Sequence, residues 1–393
     1  MKINDVLKIE IIDDNHNGNG IGKIDDYTLF VPGTLKGDIV LAKVKLIKKK
    51  LVFLELDSFI EKSSLHQEVL CPYYDVCGGC DLIHTSFLRE NELKKKYMER
   101  LFNRSNIDIV SYDRFSYRNK VTLHVLNGKL GFYKKNSNDL VEIDSCLLLD
   151  EEINKFIEVL KKLDLSNVSE IVIKKCNGGL LLSFSGLVKQ FDLDYLSSFN
   201  NVCSIYINNH LKYGNLYGTK SMNNILFNIN GNSFFQVNDK CAISMYDKIK
   251  EYVGTCDRLL DLYCGTASIG IYLSDVCRSV VGVEINKDSV LCAKENIKNN
   301  NINNYEIILS DASVMEDSFD VVVVDPPRAG LSKKVISNLK KIGSKRIVYV
   351  SCNPSTLKRD IELLDDYVLK EICSFNMFPG TCHVETVCLL SRK

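Results

Sequence analysis

The sequence predicts a multi-domain chain: an N-terminal small β-barrel, a central mostly β (α+β) domain with a cysteine metal site, and a C-terminal α/β Rossmann-like domain with a seven-stranded sheet. Three observations predict it. Short strands separated by turn signals fill residues 6–57, three cysteines at gaps of five and two follow at Cys71, Cys77 and Cys80, and beyond residue 232 buried apolar runs alternate with helical segments. The expected boundaries are 1–58, 59–231 and 232–393.

In the first segment, strands are expected over residues 6–12, 27–32, 38–47 and 51–56, with the turn cluster Asn17-Gly18-Asn19-Gly20-Ile21-Gly22 between the first two. Val40, Ala42, Val44 and Leu46 alternate with Leu41, Lys43 and Lys45, which puts one face inward and leaves a basic face running on into Lys48, Lys49 and Lys50. Such a face is either plain solvated surface or an RNA contact.

The cysteines come next, in Cys71-Pro-Tyr-Tyr-Asp-Val-Cys77-Gly-Gly-Cys80. Gly78 and Gly79 let the backbone wrap so that two thiolates can face one centre, and a set of soft ligands suits an iron–sulfur cluster or zinc. Cys146 is the best-spaced fourth ligand. The gaps differ from those of radical enzymes, so radical chemistry is not inferred. Residues 86–104 read as an amphipathic helix able to pack on the last domain, with Phe87, Leu88, Leu93, Tyr97, Met98 and Leu101 opposite Arg89, Lys94, Lys95, Lys96, Arg100 and Arg104. The β-rich region after it offers Arg118, Lys120, Lys134 and Lys135 as phosphate contacts.

In the last segment, strands are expected over 258–263, 279–283, 305–309, 319–324 and 347–350, then a returning pair over 367–375 and 384–390. The first ends in Cys264-Gly-Thr-Ala-Ser-Ile-Gly270, and the second is closed by Glu284, 19 residues after Gly265. Small residues at such a turn admit a ligand close to the backbone, and an acid at that distance suits ribose hydroxyls. Asp311 and Asp325 close the third and fourth strands. The fifth delivers Ser351-Cys-Asn-Pro354, and Pro354 cannot continue a ladder, so Cys352 stands at the strand's exit. An antiparallel partner would start at that same edge, which lets Glu385 reach it.

Composition bounds the partners. Lys plus Arg and Asp plus Glu are both 50, so any RNA surface must come from local segregation of charge. The first residues lack a hydrophobic signal region, no apolar run approaches the roughly 18 residues of a membrane span, and 15 cysteines argue for reduced thiols. A cytoplasmic monomer is expected.

Taken together, the cysteine set, Tyr117-Arg-Asn-Lys120, Asn232-Ser-Phe-Phe-Gln-Val-Asn238, Asp261-Leu-Tyr-Cys-Gly265, Asp325-Pro-Pro-Arg328, Ser351-Cys-Asn-Pro354 and His383-Val-Glu385 resemble the RNA uracil-5 methyltransferase family. The likeness is to its iron–sulfur branch with an N-terminal TRAM barrel, and it covers almost the whole chain. It implies that Gln236, Tyr263, Ser268, Glu284, Asp311 and Asp325 surround S-adenosylmethionine, with Glu284 on the ribose and Asp311 on the adenine amino group. It further implies that Phe234 stacks on the target base, and that Cys71, Cys77, Cys80 and Cys146 hold a 4Fe–4S cluster. Arg118 and Lys120 would meet the RNA, for which 23S ribosomal RNA is expected and transfer RNA is the alternative. Ala267 departs from the family, which has glycine there; a modest effect is expected, provided the backbone needs no positive φ.

The chemistry explains the thiol and the carboxylate independently. Carbon 5 of uracil is a poor nucleophile; addition of Cys352 at carbon 6 turns the ring into an enolate whose carbon 5 can take a methyl group, after which Glu385 removes the carbon 5 proton and elimination frees the thiol. Unstacking the uridine calls for an aromatic face, from Phe234 or Phe235. An amino-directed methyltransferase would place an aromatic where Arg328 stands and would leave Cys352 idle. A non-catalytic RNA-binding module with a zinc knuckle, and a redox switch built on the cluster, are the other readings.

Overall fold

The computed structural model describes residues 1–393 apart from Asn232, Phe234 and Glu316, and the backbone alone at Phe191. Its contacts divide the chain into two compact units. One contains Met1–Ile109, Tyr133–Asp139 and Phe378–His383; the other contains Val110–Phe132, Leu140–Met377 and Val384–Lys393.

In the first unit, six strands form one sheet. Ile39–Lys48 pairs antiparallel with Val6–Glu10 and Leu51–Glu61; Leu51–Glu61 runs parallel to Tyr27–Pro32, and Asn19–Ile24 and the two-residue Asp13–Asp14 complete the order. Strand alternation turns Val40, Ala42 and Val44 into a core with Ile9, Leu29, Val31, Val52 and Leu54. Each of its valine, leucine and isoleucine side chains contributes about 1.5–3 kcal/mol by leaving water. Leu46 breaks the expected alternation and is exposed, because the register with Leu51–Glu61 shifts between Val44 and Leu46 and the extra residue flips the pattern.

The helix Phe87–Phe102 begins at Ser86, whose hydroxyl accepts from the Arg89 N–H at 3.1 Å, and ends at Asn103 in the left-handed region. Its inner face buries Leu93, Met98 and Phe102. Lys94, assigned by its sequence to the solvated face, is buried: Glu90 one turn earlier takes its ammonium at 3.0 Å and the Phe378 carbonyl at 3.4 Å. Glu90 also accepts from the Gly380 N–H at 2.9 Å, which ties in Phe378–His383.

Most of the second unit is two sheets. The first orders its seven strands Leu140–Glu142, Lys129–Tyr133, Lys120–Leu126, Val168–Cys176, Gly179–Gly186, Val202–Ile207, His210–Gly214. A hairpin, Gly218–Met222 with Ile225–Ile229, leads out of it. The second sheet runs Tyr305–Leu309, Cys277–Glu284, Cys256–Leu262, Val321–Val324, Arg346–Ser351, Glu385–Arg392, Tyr367–Phe375. Its first five strands are parallel and Glu385–Arg392 is antiparallel to both neighbours. Val321–Val324 is fully buried, as a strand covered by helices on both faces must be.

An eighth strand corrects the expected seven: Asp108–Val110 lies outside Tyr367–Phe375, with the Asn376 N–H donating to the Val110 carbonyl at 2.8 Å. Three residues carry no readable alternation, so pattern could not announce it. Among the described residues, no helix is long and apolar enough to cross a membrane, and no cysteine is in a disulfide.

Candidate active site

Register brings the thiol and the carboxylate together. Arg346–Ser351 pairs antiparallel with Glu385–Arg392, so that Ser351 faces Thr386; the next residue on one strand is Cys352 and the preceding residue on the other is Glu385. Residues directly opposed in an antiparallel pair have Cβ atoms about 4.5–5.5 Å apart. Asp325 leaves the adjacent parallel strand, in which Val324 faces Tyr349. All three groups therefore gather where the parallel strands end.

Their electrostatics agree with that placement. Burial pushes Glu385 up to about 8, and the Asp325 charge adds to it. Asp325 itself is pushed up to about 7 by burial and then by Asp261. Asp261 is held at about 7 by burial, although its Oδ2 accepts from the Gly270 N–H at 3.0 Å and the Tyr305 hydroxyl at 2.8 Å. The Cys352 thiol is pushed up to about 11 by burial, then by Glu385 and Asp325, and only the Arg328 guanidinium is a nearby charge that opposes the rise. Carboxyls accumulate here without enough cations to balance them.

The turn that carries the thiol is tightly tied. The Ser351 hydroxyl accepts from the Asn353 N–H at 3.1 Å, and Asn353 caps the helix Pro354–Leu363. Asn353 Nδ2 and Thr356 Oγ1 both donate to the Arg328 carbonyl, at 3.2 and 3.4 Å. One knot thus joins the thiol turn to the Asp325-Pro-Pro-Arg328 loop.

A second group of residues lies at the ends of the first three strands. Glu284 spans two loops, accepting from the Gly265 N–H at 3.1 Å and from the Asn286 N–H at 2.8 Å. Ser268 bonds to the Tyr246 hydroxyl at 2.9 Å at the start of a short helix, and exposed Asp311 accepts from the Ser313 N–H at 2.8 Å. Gln236 is buried, and its carbonyl accepts from Asn119 Nδ2 at 3.1 Å. A polar recess of about 170 Å³ is lined by Asn230, Ser233, Asn286, Asp288, Ser289 and Cys292, and of these Asn286 donates its N–H to Glu284. Tyr263, Gly265 and Ala267 all have positive φ, at 63°, 55° and 66°. The condition attached to Ala267 therefore fails: an L-residue occupies a left-handed position, at a cost of roughly 1–2 kcal/mol.

Comparison with known proteins adds the family. The model of the tRNA (uracil-5-)-methyltransferase family matches residues 206–318 and 308–393, and that of the TRAM domain matches residues 2–54. A Clostridium acetobutylicum protein named as an uncharacterized RNA methyltransferase is 32% identical over 451 residues, taking in 100% of this chain and 98% of its own. One of Staphylococcus aureus is 31% identical, with 99% of each chain covered. The chain belongs to the RNA uracil-5 methyltransferase family. Among solved structures, the Pyrococcus abyssi tRNA (uracil-54, C5)-methyltransferase in complex with S-adenosyl-L-homocysteine aligns with 98% of this chain and 100% of its own, with a TM-score of 0.81 and 26% identity.

For a uracil-5 methyltransferase, the remaining residues are placed as follows. Phe234 lies outside the described residues. Phe235 is buried and tilts against Phe227 at a ring distance of 5.5 Å, which makes it the core member of the aromatic pair. Arg118 and Lys120 are half-buried, with Arg118 Nε donating to the Lys120 carbonyl at 3.1 Å. Cys71, Cys77 and Cys80 belong to the first unit and Cys146 to the second. Gly78 is held against strand backbone by its N–H bond to the Tyr133 carbonyl at 2.9 Å, and the Gly79 N–H points at Cys77 Sγ at 3.4 Å. Burial, and next in order the nearby Cys71, raise the Cys77 thiol against that bond. As donors these half-buried thiols suit a cluster; yet among the described residues no three His, Cys, Asp or Glu stand close enough to hold a metal ion.

Two positioning residues escaped the sequence reading. Asp360, fully buried, accepts from the Leu331 N–H and the Tyr349 hydroxyl, each at 2.7 Å, and from Arg359 Nε at 2.8 Å, so it locks the loop after Arg328 to the helix after Cys352. Its signal was Arg359-Asp360 six residues after Asn353, which reads as ordinary helix surface. Asn119 bridges Gln236 and Asp239, the latter at 2.7 Å.

Proposed function

We propose that this protein transfers a methyl group from S-adenosylmethionine to carbon 5 of a uridine in RNA, with Cys352 as nucleophile and Glu385 as base. The observation that supports the reading is the register that faces Ser351 with Thr386, which puts Cys352 and Glu385 at adjoining strand ends. S-adenosylmethionine supplies an electrophilic methyl on a sulfonium cation, and the carboxyl-rich strand ends are the place to receive a cation. Gln236, Tyr263, Ser268, Glu284, Asp311 and Asp325 are assigned to hold it, Glu284 by its ribose and Asp311 by its adenine.

The residues divide the work by their charge states. With Glu385 held at about 8, its carboxyl is mostly neutral at pH 7, which spares Cys352 a second negative neighbour when the thiolate forms. Arg328 favours that thiolate. The thiolate adds to carbon 6, carbon 5 takes the methyl group as the sulfonium S–CH3 bond breaks and S-adenosylhomocysteine leaves, and Glu385, once it has released its own proton to solvent, accepts the carbon 5 proton as the bond between carbon 6 and Cys352 breaks. A base poised near neutral pH suits that last transfer. Phe234 is assigned to stack on the target base, and Arg118 and Lys120 to the RNA backbone.

Cys71, Cys77, Cys80 and Cys146 are assigned to a 4Fe–4S cluster from their spacing and the family resemblance. Iron and acid-labile sulfide analysis of protein purified without oxygen tests this. No step of methyl transfer depends on it. In functional terms we assign residues 1–58 to an RNA-binding barrel, 59–231 to a central cysteine-bearing domain, and 232–393 to catalysis, in a protein working as a monomer in the cytoplasm.

We infer 23S ribosomal RNA as the substrate, because barrel and cysteine set together resemble the ribosomal branch. Transfer RNA is the second reading, favoured by the name of the Pyrococcus abyssi protein. Mapping 5-methyluridine in both RNAs from cells lacking the protein, complemented with wild type or Cys352→Ala, tests the two. Loss of a ribosomal methyl group restored only by wild type supports the first; loss from transfer RNA supports the second; no change in either refutes the activity.

A further inference from the structure

Beside Phe235 and Gln236, within the second unit, four lysines converge on one shallow opening. It is lined by Asn119, Lys120, Lys174, Lys175, Lys220 and Phe235, together with Ile229. It offers about 10 Å³ of space to a water-sized group, room for one. Four ammonium groups around a space of that size repel one another unless something compensates, so their partners decide what the opening can take.

Counting donors separates the four. Lys174 is saturated: its three N–H groups meet the Asn230, Gly231 and Ser233 carbonyls at 2.7, 2.9 and 2.7 Å, so it lends charge but no hydrogen bond. Lys220 spends one donor on Asp239 at 2.7 Å and lies over the Phe235 ring at 5.7 Å. Lys175 is paired with Asp150 at 2.8 Å and reaches Glu152 at 3.8 Å. Lys120, half-buried, has no hydrogen-bond or ion-pair partner for its ammonium among the described residues; Glu170 is the one acid that pulls on it. Three carboxylates, Asp150, Glu152 and Asp239, therefore pair with Lys175 and Lys220, but none of them lines the opening, whereas all four lysines do.

Burial and mutual repulsion register this imbalance. Lys174 is pulled down to about 7 by burial and then by Lys120. Lys120 is lowered by burial and then by Arg118, and Lys220 is lowered by burial in spite of Asp239. Desolvated cations of this kind are relieved by an anion, and donors from Lys120, Lys175 and Lys220 remain to bind one.

We propose that Lys120, Lys174, Lys175 and Lys220 form a binding site for one RNA backbone phosphate, whose non-bridging oxygen enters the opening while its sugar-phosphate chain stays outside. The proposal deepens the RNA methyltransferase reading and rests on it. The site adjoins the chain segment that carries Gln236, because Asn119, which lines the opening, also holds the Gln236 and Val237 carbonyls. A phosphate fixed there anchors the strand near the cofactor and the reacting base, so it positions the uridine without reading its identity.

The test uses the full-length protein with a 23S ribosomal RNA transcript and a transfer RNA transcript, measuring Kd against salt and the KM for RNA and for S-adenosylmethionine. Lys120→Gln and Lys175→Gln are each expected to weaken RNA binding about five- to tenfold at 50 mM salt and to make the log Kd against log salt slope shallower by about 0.7. Lys120→Arg retains both, and the KM for S-adenosylmethionine does not move. Folded glutamine variants with the wild-type slope and Kd overturn the site, as does a change confined to the cofactor KM. Wild-type protein that binds RNA with the expected lysine dependence but forms no 5-methyluridine overturns the methyltransferase reading and leaves the phosphate site standing.

Discussion

Replacing Glu385 with glutamine should stabilise the protein while abolishing turnover, and the gain should grow with pH. Glu385 is 6% exposed and its carboxyl is raised from 4.5 to about 8. Between those values the folded state binds a proton that the unfolded chain has released, so stability falls as pH rises through the window. At about 1.4 kcal/mol per pH unit, the ceiling on this loss is roughly 5 kcal/mol, reached above pH 8. Glutamine carries no such charge, and the variant escapes the loss. Its amide must still find partners in a buried site, so half the ceiling, about 2–3 kcal/mol at pH 8.5, is the working expectation. Below pH 4.5 the two proteins should be equally stable apart from that amide cost. Urea denaturation of both at pH 4.5, 6.5 and 8.5 measures it. A difference that is constant across the three pH values, or a variant less stable at pH 8.5, would refute the claim that a buried carboxyl is held neutral at this strand end. Asp261 and Asp325, both raised to about 7 from 3.8, give the wild type the same downward trend from about pH 4 to 7.

Further predictions concern the surrounding residues. The rate of thiol addition should rise with pH, up to about tenfold per unit below pH 8, because Cys352 is mostly protonated there; rapid-quench assays across pH 6.5–8.5 measure the slope. Arg328→Ala removes the one nearby charge that favours the thiolate and should slow addition at pH 7.5 with the slope preserved. Ala267→Gly should stabilise by about 1 kcal/mol in urea denaturation, since glycine occupies the left-handed position without a Cβ. Asp360→Asn can keep the Leu331 N–H and the Tyr349 hydroxyl on one amide oxygen but turns an amide N–H2 toward Arg359 Nε and Nη2, and should cost about 2 kcal/mol by the same measurement, with a larger fall in the rate of addition than in RNA affinity.

How far the sequence could be read depended on whether the signal was local. Tyr305–Leu309 and Tyr367–Phe375 occupy the residues expected of them, because an unbroken apolar or β-branched run between turn signals needs no tertiary information. The helix Phe87–Phe102 was equally legible, from the apolar residues recurring on one of its sides. That Glu385 begins at the edge where Cys352 stands was legible because Pro354 ends one strand and an antiparallel return fixes where the other begins. Lys94 was misread and Asp360 passed over because a charge on a helix looks solvated until a partner from elsewhere covers it: Phe378 and Gly380 for the Glu90–Lys94 pair, Leu331 and Tyr349 for Asp360. The lysines around Phe235 come from Lys120–Leu126, Val168–Cys176 and Gly218–Met222, and no spacing rule joins three strands so distant in sequence. Leu46 failed for a smaller reason, a single extra residue in the ladder.

The central claim is that Cys352 attacks carbon 6 of a uridine in RNA, and that Glu385 must remove a proton from carbon 5 before the enzyme is released. Ribosomal and transfer RNA transcripts made with 5-fluorouridine carry fluorine where that proton would be, so methyl transfer can proceed and elimination cannot. Incubation with S-adenosylmethionine followed by denaturing electrophoresis and peptide mass analysis should show one RNA bound covalently through Cys352, with no adduct in Cys352→Ala. Wild-type protein that methylates unmodified RNA at carbon 5 yet forms no Cys352 adduct on the fluorinated transcript would contradict the account.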